Sequence, residues 1–158
     1  EMFMSYISEG FSAVTPMLIV ESAAKAIDYY KNVFGATERL RMEGPGGSIM
    51  HAEIDIDGAI VMLTDANPEQ GSKSPGDLGG SPQSLMIYVP DVDATIKNAV
   101  GEGSTETMPA TDMFWGDRMG RITDPFGHSW SVGTHVKDVP EDEMAAAQEA
   151  WMKEMAGD

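Results

Sequence analysis

The stretch from Phe114 to His135 reads F-W-G-D-R-M-G-R-I-T-D-P-F-G-H-S-W-S-V-G-T-H, and it contains the pattern that decides the fold. At its centre, the tetrapeptide D-P-F-G at 124–127 has Asp first, Pro second and Gly last, as a type I turn prefers. Strands are therefore expected on both sides, at about 118–123 and 128–134. In the second strand apolar residues alternate with small polar ones, which predicts one apolar face and one polar face.

Size, charge and the absence of cysteine limit the classes of protein. A chain of 158 residues is sufficient for one domain or for two small modules that share a sheet. The formal net charge of −16 disfavours nucleic acids and membranes as partners, because both present anionic groups. Without cysteine, disulfides and zinc–thiolate sites are excluded. No run reaches the roughly 20 apolar residues of a membrane span, and no signal-peptide pattern is present, so we expect a cytoplasmic protein.

The first half of the chain predicts one strand, one helix and three further strands. The first strand is expected from Val14 to Val20, and the helix is expected to begin at a Ser22 cap and to end at Gly35. Strands are then predicted at 37–42, 48–56 and 59–65, with glycine-containing turns between them. These elements define a first module at 11–66.

The second half repeats this order. Residues 67–83 are too rich in glycine, proline and serine to hold a regular element, and we predict a linker there. A strand at 84–89, a helix capped by Asp91, and strands near 105, 118 and 128 then form a second module at 84–136. Two modules of β-α-β-β-β order are expected.

The segment 137–158 is predicted to be an amphipathic helix. Asp138 and Glu141 have the spacing of a capping box at its start. Met144, Trp151 and Met155 would share one face, and a second copy of the chain is a candidate to cover it.

Four motifs in this order resemble the vicinal oxygen chelate superfamily of glyoxalases, bleomycin-resistance proteins and extradiol dioxygenases, and its PhnB-like branch in particular. They are A-I-D-Y-Y-K-N-V-F-G-A at 26–36, S-I-M-H-A-E at 48–53, F-W-G-D-R at 114–118 and D-P-F-G-H at 124–128. The resemblance implies an α+β fold in which the modules form a cup-shaped mixed sheet with helices outside. It also implies a ligand or metal inside the cup and a homodimer, whose modules pair within one chain or are exchanged between two.

The same resemblance locates the metal ligands of the metal-dependent members on four strands. The corresponding positions in this chain are Thr15, Met62, Ser84 and Ser131. Hydroxyl and thioether groups are poor ligands for Zn, Ni, Mn or Fe, and a register shift of two residues offers no better set. We therefore predict that the usual four-ligand metal centre is absent and that no cofactor is bound. A divalent metal at a relocated site is the alternative.

Strand alternation predicts which side chains line the cup, because the helices should cover the apolar side of each strand. In the strand at 48–56, Met50, Ala52, Ile54 and Ile56 are expected under the helix, with His51, Glu53 and Asp55 on the other side. By the same rule the following residues point inward: Thr15, Met17, Ile60, Met62, Thr64, Ser84, Met86, Tyr88, Ser129 and Ser131.

Nine residues are candidates for the site. His51 and Glu53 are the catalytic candidates, because an imidazole and a burial-sensitive carboxylate can exchange protons, although a strand is not expected to let them bond directly. A solvated strand face or a cross-strand ion pair is the alternative for this pair. Adaptable thioethers, aromatic rings and polar groups give the ligand-binding candidates Met17, Met62, Met86, Tyr88, Trp115, Arg118 and Ser131. Asp117 and Arg118 are expected to pair with each other or with another subunit, and His128 to be a packed, hydrogen-bonded residue.

Three functions remain open from the sequence. The first is a protein that holds a small aromatic or cationic molecule in the cup without metal, as drug-sequestering members of the superfamily do. The second is a glyoxalase-type lyase or isomerase that uses His51 and Glu53 or a relocated divalent metal. In the third, side chains fill the cup and the protein acts only through association.

Overall fold

The computed structural model describes residues 5–157, and this part of the chain divides into two compact units. One unit contains 5–82 together with Pro125–His128, and the other contains Gln83–Asp124 together with 129–157. Each unit has one four-stranded mixed sheet and the order β-α-β-β-β. The predicted α+β class with two such modules is confirmed.

The first unit contains the first sheet and its helix. Its elements are β1 (Met17–Val20), α1 (Ala23–Phe34), β2 (Thr37–Glu43), β3 (Ile49–Ile56), β4 (Ala59–Asp65) and a short α2 (Pro75–Leu78). The strand order is β1-β4-β3-β2, with β1 parallel to β4 and the other pairs antiparallel. The second unit contains β5 (Ser84–Tyr88), α3 (Val92–Gly101), β6 (Thr105–Asp112), β7 (Asp117–Thr123), β8 (Ser129–His135) and α4 (Glu141–Ala156). Its order, β5-β8-β7-β6, repeats that of the first sheet.

Helices α1 and α3 begin where their caps predict. Ser22 accepts a hydrogen bond from the amide of Lys25, and Gly35 ends α1 in the left-handed conformation at φ 66°. Asp91 caps α3 by accepting from the amide of Ala94 at 3.0 Å. Each helix covers one face of its sheet, so the buried cores lie between α1 and the first sheet and between α3 and the second.

The D-P-F-G-H motif forms the predicted turn between β7 and β8. Phe126 lies with its ring centroid 5.9 Å from that of Tyr29 on α1, in an edge-to-face arrangement. His128 donates from Nε2 to the carbonyl oxygen of Ile19 at 2.9 Å. The prediction of a packed, hydrogen-bonded His128 is confirmed.

Two local predictions are wrong because side chains have other partners. The 67–83 segment is not without structure, since Ser74 and Asp77 form a reciprocal capping box that starts α2. Conversely, the capping box predicted for the last helix does not form. Asp138 instead accepts from Nε2 of His135 at 2.7 Å, and α4 begins after Pro140 without a side-chain cap.

The predicted burial of Met50 is also wrong. The β2–β3 pairing shifts between Met42 and Glu43, whose partners are His51 and Ile49. This irregularity buries Ile49 and leaves Met50 exposed. The remaining alternation of β3 is as predicted, with Ala52 and Ile54 buried.

None of the helices within residues 5–157 combines the length and the apolar character needed to cross a membrane.

Candidate functional site

The face of the second sheet opposite α3, called here the α3-distal face, carries three of the seven predicted ligand-binding residues, Met86, Tyr88 and Ser131. Ile122 and Val132 are fully buried on the α3 side, and a β-carbon added at Gly120 would lie 2.5 Å from Ile96 of α3. Since side chains alternate along a strand, the intervening residues project from the other face. They include Ser84, Met86, Tyr88, Asp117, Met119, Arg121, Thr123, Ser129, Ser131, Gly133 and His135.

A buried carboxylate organises one end of this face. Asp117 is 4% exposed, and its Oδ2 accepts from the Tyr88 hydroxyl at 3.0 Å and from the Trp115 indole Nε1 at 3.1 Å. Its Oδ1 accepts from Nδ1 of His135 at 2.7 Å. The three donors fix the orientations of both aromatic side chains, so Tyr88 and Trp115, both predicted site residues, are brought together by one anion.

The protonation states of this cluster support each other. Burial acts to raise the pKa of the Asp117 carboxyl, but hydrogen bonds from His135, Tyr88 and Trp115 outweigh it and hold the pKa below its usual range. Hydrogen bonds to Asp138 and then to Asp117 raise the pKa of His135. Both ring nitrogens of His135 donate to carboxylates, as in an imidazolium. The hydrogen bond to Asp117, together with burial, raises the pKa of the Tyr88 hydroxyl.

Sequence analysis did not identify His135, and it expected Asp117 to pair with Arg118. His135 ends β8 and is the Cα partner of Asp117, the first residue of β7. The available signal was the D-P-F-G turn, because extending the hairpin register outward from it pairs these two positions.

Arg118 does not join the other predicted ligand-binding residues. It follows Asp117 in β7, so its side chain projects toward α3. Its Nε and Nη2 donate to the Asp93 carboxylate of α3 at 2.7 and 3.0 Å, and its Nη1 donates to Asp112 at 3.2 Å. These bonds raise the pKa of Arg118. The predicted pairing of Arg118 with Asp117 is wrong, because adjacent residues of a strand face opposite sides.

Small residues and thioethers lie beside the aromatic cluster. Ser131 of β8 has Met86 of β5 as its Cα partner on one side and Arg121 of β7 on the other. Gly133 is the partner of Tyr88, and a β-carbon added there would lie 2.7 Å from Cε of Met86. Glycine at this position therefore lets the Met86 thioether lie low over the sheet.

The first sheet carries the predicted catalytic pair on its face opposite α1, called here the α1-distal face. Nε2 of His51 donates to Oε1 of Glu53 at 3.1 Å, so the expectation that the strand would keep them from bonding is wrong. Arg39 lies 3.8 Å from the other Glu53 oxygen. Glu53 is the Cα partner of Met62, which is itself the partner of Met17, so the two predicted methionines form a row with Glu53.

The residues at the superfamily's metal positions do not fit a transition-metal centre. Thr15 precedes β1 and donates its hydroxyl to the carbonyl oxygen of Ser12, while Met62, Ser84 and Ser131 offer one thioether and two hydroxyls. Divalent first-row metals favour imidazole, carboxylate and thiolate ligands. Across residues 5–157, His, Asp and Glu side chains nowhere form a group of three that could hold an ion.

One open pocket, of about 650 Å³, lies on the other side of the second unit, between α3 and β6. Its walls include Ile96, Val100 and Pro109, with Lys97 and Glu106 at its edge. It contains none of the predicted site residues.

Comparisons with known proteins agree with this architecture. The sequence model of the Glyoxalase/Bleomycin resistance protein/Dioxygenase superfamily matches residues 12–132. An uncharacterised protein of Mycobacterium bovis is 45% identical over 138 residues, which cover 85% of this chain and 91% of the relative. A Mycobacterium tuberculosis protein is also 45% identical over 138 residues, which cover 85% of this chain and 81% of that relative.

Two solved structures illustrate the likeness of fold. TioX from Micromonospora sp. ML1 is 28% identical with a TM-score of 0.62, over 79% of this chain and 99% of TioX. The PhnB protein from Bacillus cereus is 18% identical with a TM-score of 0.62, over 78% of this chain and 99% of the other, which is a likeness of fold alone.

Proposed function

The chain belongs to the glyoxalase/bleomycin resistance protein/dioxygenase superfamily, and we propose that it binds a small aromatic molecule on the α3-distal face without the four-ligand metal centre. The observation that carries this proposal is the pair of aromatic side chains, Tyr88 and Trp115, held by the Asp117 carboxylate. Met86 and Ser131, on the neighbouring strands, supply an adaptable apolar contact and a hydroxyl.

An aromatic ligand is favoured over a cationic one because the carboxylate of this face is engaged. Both oxygens of Asp117 already accept hydrogen bonds. A cation would have to displace these partners, whereas an aromatic ring needs only the exposed surfaces.

The Tyr88 ring suits an aromatic ligand because it is both accessible and held in position. The residue is 60% exposed, yet its hydroxyl is fixed by Asp117. Ring pairs contribute about 0.5–1.5 kcal/mol beyond the area they bury, and a pre-oriented ring avoids part of the entropy cost of binding. Met86 is 43% exposed beside it and can follow the outline of the ligand.

A titration with 2-naphthamide, followed by tryptophan fluorescence, tests the proposal. Tyr88→Ala should weaken binding at least tenfold, whereas Tyr6→Ala, which removes an exposed tyrosine outside both sheets, should leave the affinity unchanged. Chromatography should recover the ligand unaltered. Equal affinities of the wild type and Tyr88→Ala would refute this site.

Elemental analysis of the purified protein tests the metal part of the proposal. We expect less than stoichiometric transition metal and no change of ligand affinity after chelation. One metal ion per chain whose removal abolishes binding would refute it.

The hydrogen-bonded pair of His51 and Glu53 favours catalysis as a second candidate function. A carboxylate that orients an imidazole is a common arrangement for proton transfer. If this pair is catalytic, His51→Ala will still bind a substrate but will no longer convert it. A variant with unchanged turnover would refute that role.

The proposal retains a cytoplasmic location and a homodimer, with modules paired within a chain or exchanged between two. Exposed Met152 and Met155 on α4 leave apolar surface for a second copy. Light scattering should give a mass near twice 17.0 kDa. A mass near 17.0 kDa at micromolar concentration would refute the dimer.

A further inference from the structure

Arg121 lies in the middle of the α3-distal face and is exposed. Its Cα partner in β8 is Ser131, whose partner in β5 is Met86, and its partner in β6 is Met108. Cα partners in a sheet project from the same face, so these four residues form one row across the second sheet. The guanidinium group therefore lies between the Ser131 hydroxyl and the Met108 thioether, and the Met86 thioether lies beyond Ser131.

Arg121 differs from the other arginines of the chain, all of which lie within residues 5–157. Arg39 faces Glu53, Arg41 binds Glu38, and Arg118 binds two aspartates. Among the residues that the structure describes, Arg121 has no ion-pair partner, although the chain has 26 acidic residues and only 10 Lys and Arg. An arginine left without a carboxylate in so acidic a protein is available for an anion from outside.

The immediate surroundings explain why no carboxylate neutralises Arg121. Its row contains only Ser131, Met86 and Met108. The carboxylate of this face, Asp117, is four residues along the same strand, about 13 Å away at about 3.3 Å per residue. Both Asp117 oxygens already have donors.

We propose that Arg121 binds a carboxylate group of the aromatic ligand, so that the ligand is a small aromatic carboxylic acid. This inference rests on the proposed function and narrows it. The planar guanidinium group can donate two parallel hydrogen bonds to a carboxylate, and the Ser131 hydroxyl can add a third. The apolar part of the ligand then lies toward Met86 and Tyr88.

The dimensions of the sheet permit this arrangement. Arg121 and Met86 are separated by one intervening strand, about 9.6 Å at about 4.8 Å per step. The strand between them contributes Ser131 and Gly133, so the Met86 thioether lies over Gly133 and only the small Ser131 side chain separates Met86 from Arg121 in their row. A carboxylate attached to one or two fused rings spans about this distance.

The test compares three probes that share one ring system: 2-naphthoate, the neutral 2-naphthamide, and the cationic 2-(aminomethyl)naphthalene. Affinities for the wild type, Arg121→Gln and Arg121→Lys are measured by calorimetry at low salt. Lys97→Gln is the matched control. It removes one positive charge, as Arg121→Gln does, but from α3 on the opposite face of the second sheet. Arg121 is exposed, so circular dichroism should show that all variants are folded.

The wild type should bind 2-naphthoate at least tenfold more tightly than 2-naphthamide. Arg121→Gln should lose this preference, Arg121→Lys should keep part of it, and Lys97→Gln should keep it all. Higher salt should weaken the binding of 2-naphthoate and leave that of the neutral 2-naphthamide unchanged.

Three outcomes would overturn the inference. If the wild type binds all probes equally and Tyr88→Ala weakens them all, the aromatic site stands and carboxylate recognition fails. If Arg121→Gln and Lys97→Gln weaken 2-naphthoate equally, the preference comes from net charge and not from Arg121. If no probe binds at millimolar concentration, the proposed function fails as well.

Discussion

Asp117→Asn is the substitution that tests how the α3-distal face is built. The asparagine has the same shape but is neutral, and its amide nitrogen cannot accept a hydrogen bond. One or two of the donors from Tyr88, Trp115 and His135 would therefore lose their acceptor.

The magnitude follows from the contacts. Hydrogen bonds to a charged group contribute about 1.5–3 kcal/mol each, and those that share one acceptor are not additive. Because Asp117 is buried, water cannot replace the lost acceptor fully. We expect the free energy of unfolding to fall by about 2–4 kcal/mol, with a decrease in Tm of about 4–16 °C for a chain of this size.

The assay is urea denaturation monitored by tryptophan fluorescence and far-UV circular dichroism. Asp112→Asn is the control, because Asp112 contacts Arg118, whose side chain is on the α3 side of the sheet, and is well exposed. Loss of the Asp112 charge should change the free energy of unfolding by about 0.5 kcal/mol or less.

The difference in the free energy of unfolding between the wild type and Asp117→Asn should also depend on pH. The pKa of Asp117 is lowered in the folded state. Its contribution to the free energy of unfolding is therefore present above its ordinary pKa near 3.8 and is lost as the pH falls through the folded pKa. The difference between the wild type and Asp117→Asn should therefore narrow in acid. A difference below about 0.5 kcal/mol at pH 7 would refute the reasoning.

Three further predictions concern stability. The pKa of His135 is raised in the folded state, so its contribution to the free energy of unfolding is complete below its ordinary pKa of 6.5 and is lost as the pH rises through the folded pKa. The stability difference between the wild type and His135→Gln should therefore shrink as the pH rises, and a constant difference from pH 6 to 9 would contradict this. Gly127→Ala should lower stability by about 1–3 kcal/mol, because φ is +88° and the new β-carbon would lie 2.7 Å from Cβ of Pro75. Gly47→Ala, where φ is also positive but the space is open, should lower stability less. Equal losses of stability in thermal unfolding would be evidence against the steric contact. Ile54→Ala should cost about 2–5 kcal/mol, because Ile54 is fully buried, and calorimetry showing under 1 kcal/mol would place it outside the core.

The sequence by itself determined the features that depend on neighbouring residues. The D-P-F-G turn, the Ser22 and Asp91 caps and most strand alternation are local, because a turn or cap requires only side chains within a few positions. The repeated order of elements then identified the class of fold and, with the four motifs, the superfamily.

Tertiary structure alone decided which side chains meet. Asp117 and His135 are 18 residues apart and bond because the register of the β7–β8 hairpin makes them partners. His135 also donates to Asp138, and α4 begins after Pro140 without the expected capping box. Arg118 binds aspartates on the α3 side, whereas Arg121 projects from the opposite face of the same strand. A shift of one residue along a strand reverses its faces, so hydrogen-bonded pairing between strands, which local preference does not fix, determines the site.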